Sequence, residues 1–263
     1  MPAKAPGARW ADHHRPQERP MPTSCPPVPQ IRLPGQAAAP AGPCDLTPMY
    51  LMHHAFRRDL RRFGAAVATT AVDERDTWRA LQGRWRRFAR ILHHHHAGED
   101  ELLWPLLLSR VDAAGDPDGR AVLLAMEAEH AEIDPLLAGC ATGLDRLAAG
   151  AGEDTRAALA VRVAATAERL GHHLGHEESA AMTLLQAHVT PAEWHGMDAG
   201  FAAHYSARDK LFAVSWVLDG LPPDVRRSVL RTFPGLLALA WRVALRPAHA
   251  RRERRIFGSG SAR

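Results

Sequence analysis

Residues 85–110 read WRRFARILHHHHAGEDELLWPLLLSR. Within them Phe88, Leu92, His95, Glu99, Leu102 and Leu106 follow one another at steps of 4, 3, 4, 3 and 4. That rhythm is a single stripe along one face of a helix. An ordinary bundle helix carries Leu or Ala where this one has His95 and Glu99. Burying an ionised carboxylate without a partner costs on the order of several kcal/mol, so a cation is expected opposite Glu99. Of the four consecutive histidines only one or two can face inward, because neighbours on a helix sit about 100° apart. His95 is selected both by the stripe and by its place four residues before Glu99, which leaves His93, His94 and His96 for the outer side. Gly98 admits a close neighbour, and Pro105 is expected to kink the helix.

Three further helices carry the same kind of stripe. The first begins at Asp45 or Thr47 with Pro48 in its opening turn. Its apolar face is Met49, His53, Phe56, Leu60, Phe63 and Val67, with His54 beside Arg58 and Arg61 on the solvated side. The second contains residues 85–110, starts near Asp73 or Asp76 and runs to about Val111. After the turn at 113–119 the third presents Leu123, Met126, His130, Ile133 and Leu137, with Glu127 and Asp134 flanking its inward histidine. The fourth, opening near Asp154 or Thr155, presents Leu159, Val163, Thr166, Leu170, His173, Glu177, Ala181 and Leu184. His173 and Glu177 repeat the spacing of His95 and Glu99, and His172 and His176 lie off the stripe.

Composition agrees with an all-α protein. Ala, Leu, Arg and Glu dominate, tyrosine occurs twice, and 46% of the 263 residues are hydrophobic. More than half of the twenty prolines fall in residues 1–44, which are expected to form a disordered arm holding His13 and His14. The bundle then spans 45–188, and 189–263 form a C-terminal helical extension. The net charge of +4 is a tail effect, since residues 246–263 hold six Arg against one Glu; nucleic-acid binding is not expected. Cys25, Cys44 and Cys140 fit neither a disulfide framework nor a zinc motif. With no secretory h-region and no long uncharged apolar run, a cytoplasmic location is the expectation. The apolar, Arg-ended stretch around Trp241 is expected to dock on the bundle rather than to make peripheral contact with a membrane.

Four helices thus bring His53, His95, Glu99, His130, His173 and Glu177 inward. Imidazole nitrogen with carboxylate oxygen suits iron, manganese or zinc, and no thiolate takes part. Six ligands exceed one tetrahedral ion. With both glutamates bridging, they suffice for two and leave positions open, where dioxygen, nitric oxide or peroxide would bind. Phosphate-binding glycine loops and nucleophile motifs are not found.

The pattern of one His, then HAGEDELLWP from His95, then AEH ending at His130, then HLGHEE from His173 resembles the hemerythrin-like proteins of the HHE cation-binding family. That resemblance implies an up-down-up-down four-helix bundle around a non-haem centre of two iron ions, with Glu99 and Glu177 bridging them. Asp134 stands where the oxygen carriers of that kind have a second inward His. Two functions are expected to compete: a di-iron protein that binds or senses oxygen, nitric oxide or iron, and a di-iron oxidoreductase that turns over peroxide or nitric oxide with Glu127 or Asp134 relaying protons.

Overall fold

A computed structural model of the chain describes residues 26–258. His13, His14 and Cys25 lie outside them. The described residues form helices and no strand. Helix α1 (Thr47–Thr69) starts where Asp45 Oδ1 accepts the Thr47 amide at 2.9 Å, and Pro48 occupies its first turn. Helix α2 (Arg75–Gly98) passes through a π-helical turn (Glu99–Leu103) into α3 (Trp104–Ala114), which ends on left-handed Gly115. Asp116 caps α4 (Pro117–Ala148) by accepting the Gly119 amide. Helix α5 (Glu153–His176) is capped by Gly152, so Asp154 and Thr155 lie within its first turn rather than at the cap. A second π turn (Glu177–Ala181) leads into α6 (Met182–His188).

These four rods form the bundle: α4 packs against both α2 and α5, and α5 packs against α1. Their inward residues make two apolar layers. One gathers Phe56, Phe63, Trp85, Phe88, Ile133 and Leu170; the other gathers Met49, Tyr50, Leu103, Leu107, Met126 and Leu185. The polar positions of the four stripes lie between the layers.

Both π turns shift the register. Beyond Glu99 the buried apolar residues are Leu103, Trp104, Leu107 and Val111; beyond Glu177 the expected Ala181 is buried, followed by Met182, Leu185 and Val189. The expected Leu102, Leu106 and Leu184 are only half-buried, because a π turn inserts one residue into the helical count. Pro105 comes two residues after the first π turn and sits in the opening turn of α3.

The extension comprises α7 (Pro191–Gly196), α8 (Asp198–Ala203), α9 (Ala207–Leu218), α10 (Pro223–Thr232), α11 (Gly235–Ala240), a π turn (Trp241–Leu245) and α12 (Arg246–Phe257). It packs on the bundle. Trp216 seats its ring 5.2 Å from Phe56 and donates Nε1 to Asp59 at 2.9 Å. Phe201 fills the space that Gly98 leaves open. Arg58 donates to the carbonyls of Trp216 and Asp219, so the side of α1 read as solvated is covered here. His54 and Arg58 are buried, and burial together with the Arg58 charge lowers the His54 imidazole to about 4. Trp241 is buried, whereas Leu236 stands 85% exposed. No helix among the described residues is long and apolar enough to cross a membrane.

The segment before α1 also differs from the expected arm. Residues 26–44 form no helix, yet Leu33 and Cys44 are buried. Gln30 bonds the Cys44 carbonyl and the Leu46 amide, and Gln36 and Ala37 reach across to Glu178. Side-chain and backbone hydrogen bonds hold this proline-rich stretch where apolar burial alone is insufficient.

Candidate metal centre

The six residues singled out from the sequence converge between the two apolar layers. His53, Glu99, His173 and Glu177 have no solvent exposure, and His95 and His130 are buried. His53 Nε2 lies 3.2 Å from Glu177 Oε2, and His95 Nε2 lies 3.1 Å from Glu99 Oε1. The other oxygen of Glu99 faces His130 Nε2 at 3.6 Å, while Glu177 Oε2 also faces His173 Nε2 at 3.9 Å. Each glutamate therefore lies between histidines of two different helices.

These approaches are not hydrogen bonds. Both oxygens of Glu99, both of Glu177, and Nε2 of His53 and His95 make no hydrogen bond to any described residue. Orphaned buried polar atoms are costly and need an explanation. A cation among them supplies one: the donor set is the nitrogen and oxygen mixture that first-row transition metals favour. His53, His95, Glu99 and Glu177 each bring a ligand atom within 4.8 Å of the others.

The far side of the rings is also ordered. His53 Nδ1 meets Glu178 Oε1 at 2.9 Å, His130 Nδ1 meets Asp100 Oδ1 at 2.9 Å, and His173 Nδ1 meets Glu129 Oε2 at 2.8 Å. An ionised carboxylate only accepts, so each Nδ1 carries a proton, and in a neutral ring Nε2 then turns its lone pair inward. Glu129 also bonds His176 Nδ1 at 2.9 Å; burial would raise it, but these histidines hold it down at about 2. The flanking pair expected on the third helix, Glu127 and Asp134, is exposed; the carboxylate in contact is Glu129, on the inner side of the same helix. Glu178, Asp100 and Glu129 each adjoin a stripe residue in sequence, a signal that one-stripe periodicity passes over. His96, expected on the outer side, is buried and stacked on His130 with ring centroids 3.9 Å apart.

Electrostatics divides the two glutamates. Burial would raise Glu177, but the neighbouring His53 charge outweighs it and holds Glu177 near 2. Burial pushes Glu99 well above the usual carboxylate range, with the Glu177 charge adding to it. Burial would lower His53, yet Glu177 and Glu178 lift it to about 9; His95, buried beside that charge, falls to about 3.

Glu178 joins this centre to the segment before α1. It accepts from Arg57 at 2.5 and 3.1 Å, from Gln36 at 3.1 Å and from the Ala37 amide at 3.0 Å, besides His53. Glu178→Ala is expected to weaken metal retention about 10–100-fold, the usual cost of losing a carboxylate behind a ligating histidine. It is also expected to open residues 30–44 to protease. Competition with a chromogenic chelator reads the first effect, and unchanged retention would contradict it.

Four helices, a buried belt of imidazole and carboxylate, and orphaned atoms aimed at one another define a metal-binding helical bundle. Residues 46–185 match the model of the hemerythrin HHE cation binding domain, and the chain belongs to that family. Comparison with curated proteins and with solved structures gives no match.

Proposed function

We propose that the centre holds two iron ions through His53, His95, Glu99, His130, His173 and Glu177, and that the protein binds or senses oxygen, nitric oxide or iron. The observation that carries this is the set of orphaned nitrogen and oxygen atoms on His53, His95, Glu99 and Glu177, buried between apolar layers. Two carboxylates, each set between two histidines, suit bridging of a pair of cations. Iron held there supplies a redox-active cation with open positions for a small diatomic or peroxide ligand.

The chain's own residues favour a small apolar ligand. A cavity of about 370 Å³ adjoins His95; its wall is mostly apolar, with Met49, Met52, Phe201, Val214, Val217 and Phe233, and carries the charged Asp198 and Lys210 as well. Most of that lining comes from the extension, which thus shapes the approach to the centre. Dioxygen and nitric oxide partition into such surroundings, whereas charged substrates pay to enter them. Glu127 and Asp134 are exposed, so neither relays protons to the centre.

Anaerobic loading with ferrous iron, followed by oxygen or nitric oxide, is expected to produce visible charge-transfer absorption at saturable stoichiometry. An iron-loaded protein whose spectrum ignores both gases contradicts the sensing and binding role. Sustained peroxide consumption that disappears in His95→Ala would favour the oxidoreductase alternative.

Metal uptake is expected to be pH-dependent. His53 stands at about 9 without metal, so it holds a second ring proton near neutrality, and burial pushes Glu99 in the same direction. Ligation displaces the proton on His53 Nε2. Affinity should therefore fall as pH drops below about 9, on the order of tenfold per pH unit for each proton displaced. An indicator dye in weakly buffered solution reads the release, and loading without proton release would contradict it.

A further inference from the structure

We infer that His96 is a further metal ligand, completing a three-imidazole subsite with His130 and His173. The inference rests on the dinuclear reading above and deepens it. Nδ1 of His130 donates to Asp100 and Nδ1 of His173 donates to Glu129. When both rings are neutral, both Nε2 atoms are bare acceptors, yet they face each other at 3.2 Å. Two lone pairs held that close need a proton or a metal ion between them.

His96 adds a third nitrogen at the same place. It is 4% exposed, and its Nε2 makes no hydrogen bond to any described residue. Its ring is stacked on His130, 6° between planes, and lies 5.3 Å from the ring of His173, so rotation of the His96 ring out of that stack is what turns its Nε2 lone pair onto a shared ion. One ligand atom from each of His96, His130 and His173 falls within 4.8 Å of the other two. Glu99 Oε2, 3.6 Å from His130 Nε2, brings negative charge to this subsite.

The helical geometry explains how neighbours serve two ions. His95 and His96 differ by about 100° around α2, so they cannot converge on a single point. His95 joins the group of His53, Glu99 and Glu177, while His96 joins the group of His130 and His173. The two subsites are therefore unequal: one has two imidazoles and the other three, with the glutamates between them. A nitrogen-rich subsite favours iron, zinc or copper over magnesium or calcium.

The test compares wild type, His96→Gln and the exposed-site control His93→Gln after anaerobic loading with ferrous iron and gel filtration. The expected result is two ions per chain in wild type and in His93→Gln, and one in His96→Gln. His96→Gly should lose the same ion and regain it when free imidazole is added, a rescue that a merely structural role would not give. Circular dichroism confirms that each variant remains helical. If His96→Gln keeps two ions with unchanged chelator release and absorption, the role of His96 is overturned while the dinuclear centre stands. A wild type that holds no ion overturns both.

Discussion

Glu99→Leu is expected to raise the melting temperature of the metal-free protein while abolishing binding of at least one of the two ions. Glu99 is fully buried and neither of its oxygens has a hydrogen-bond partner among the described residues. An unsatisfied buried polar group costs about 1–3 kcal/mol, which leucine of similar length removes. The gain should appear as a rise of several degrees. Its pH dependence follows from the raised carboxyl of the folded state. The unfolded chain releases its proton near 4.5 and the folded chain resists doing so, so burial of Glu99 costs more as pH rises above that value. The advantage of leucine should accordingly grow from about pH 4.5 upward. Opposite signs for stability and metal content are the signature of a residue kept for its ligand. A variant destabilised in the metal-free form would show instead that Glu99 holds the fold through His95.

The opposite result is expected at Asp59, where a buried charge is fully paired. Arg84 and Arg58 both bond Asp59, and Trp216 Nε1 donates to it. Glu253 from α12 accepts from Arg84 and Arg62 at 3.3 Å each, so this ionic junction ties α9 and α12 to α1 and α2. Burial would raise Asp59, but Arg84 and Arg58 outweigh it and hold its carboxyl below the usual range. Asp59→Ala leaves the Arg84 guanidinium buried with one acidic partner. The cost should be about 3–5 kcal/mol, read as lowered resistance to urea and as proteolysis within residues 207–257. Because the folded carboxyl is depressed, its contribution is complete above about 3.8 and is lost as pH falls through the lower folded value. Metal content should survive, since none of the proposed ligands lies in the extension. A variant as stable as wild type would contradict the role assigned to the junction.

The two variants separate what periodicity reveals from what it hides. His53, His95, Glu99, His130, His173 and Glu177 stood out because each interrupts an apolar stripe at helical spacing, and all six meet in the structure. The partners of these residues were hidden. Glu178, Asp100 and Glu129 bond histidines on other helices, and which helix lies opposite is not written in the local pattern. His96 was missed for a related reason: one stripe per helix admits one histidine, whereas α2 faces two neighbours. The π turns at Glu99 and Glu177 were also invisible, and they moved Leu103 and Leu185 into positions assigned to Leu102 and Leu184. Arg58 and His54 resembled a solvated face because their cover comes from residues 216–220, some 160 positions away. The stretch 26–44 lacks helix as its prolines require, but its glutamines give it partners that composition does not disclose.

The most direct test of the centre is anomalous X-ray scattering at the iron absorption edge from crystals grown after ferrous loading. Two peaks are expected, one among His53, His95, Glu99 and Glu177, the other beside His130 and His173. Peaks elsewhere, for instance at the Asp219, His249 and Glu253 cluster of the extension, or no peak within the bundle, would contradict the account.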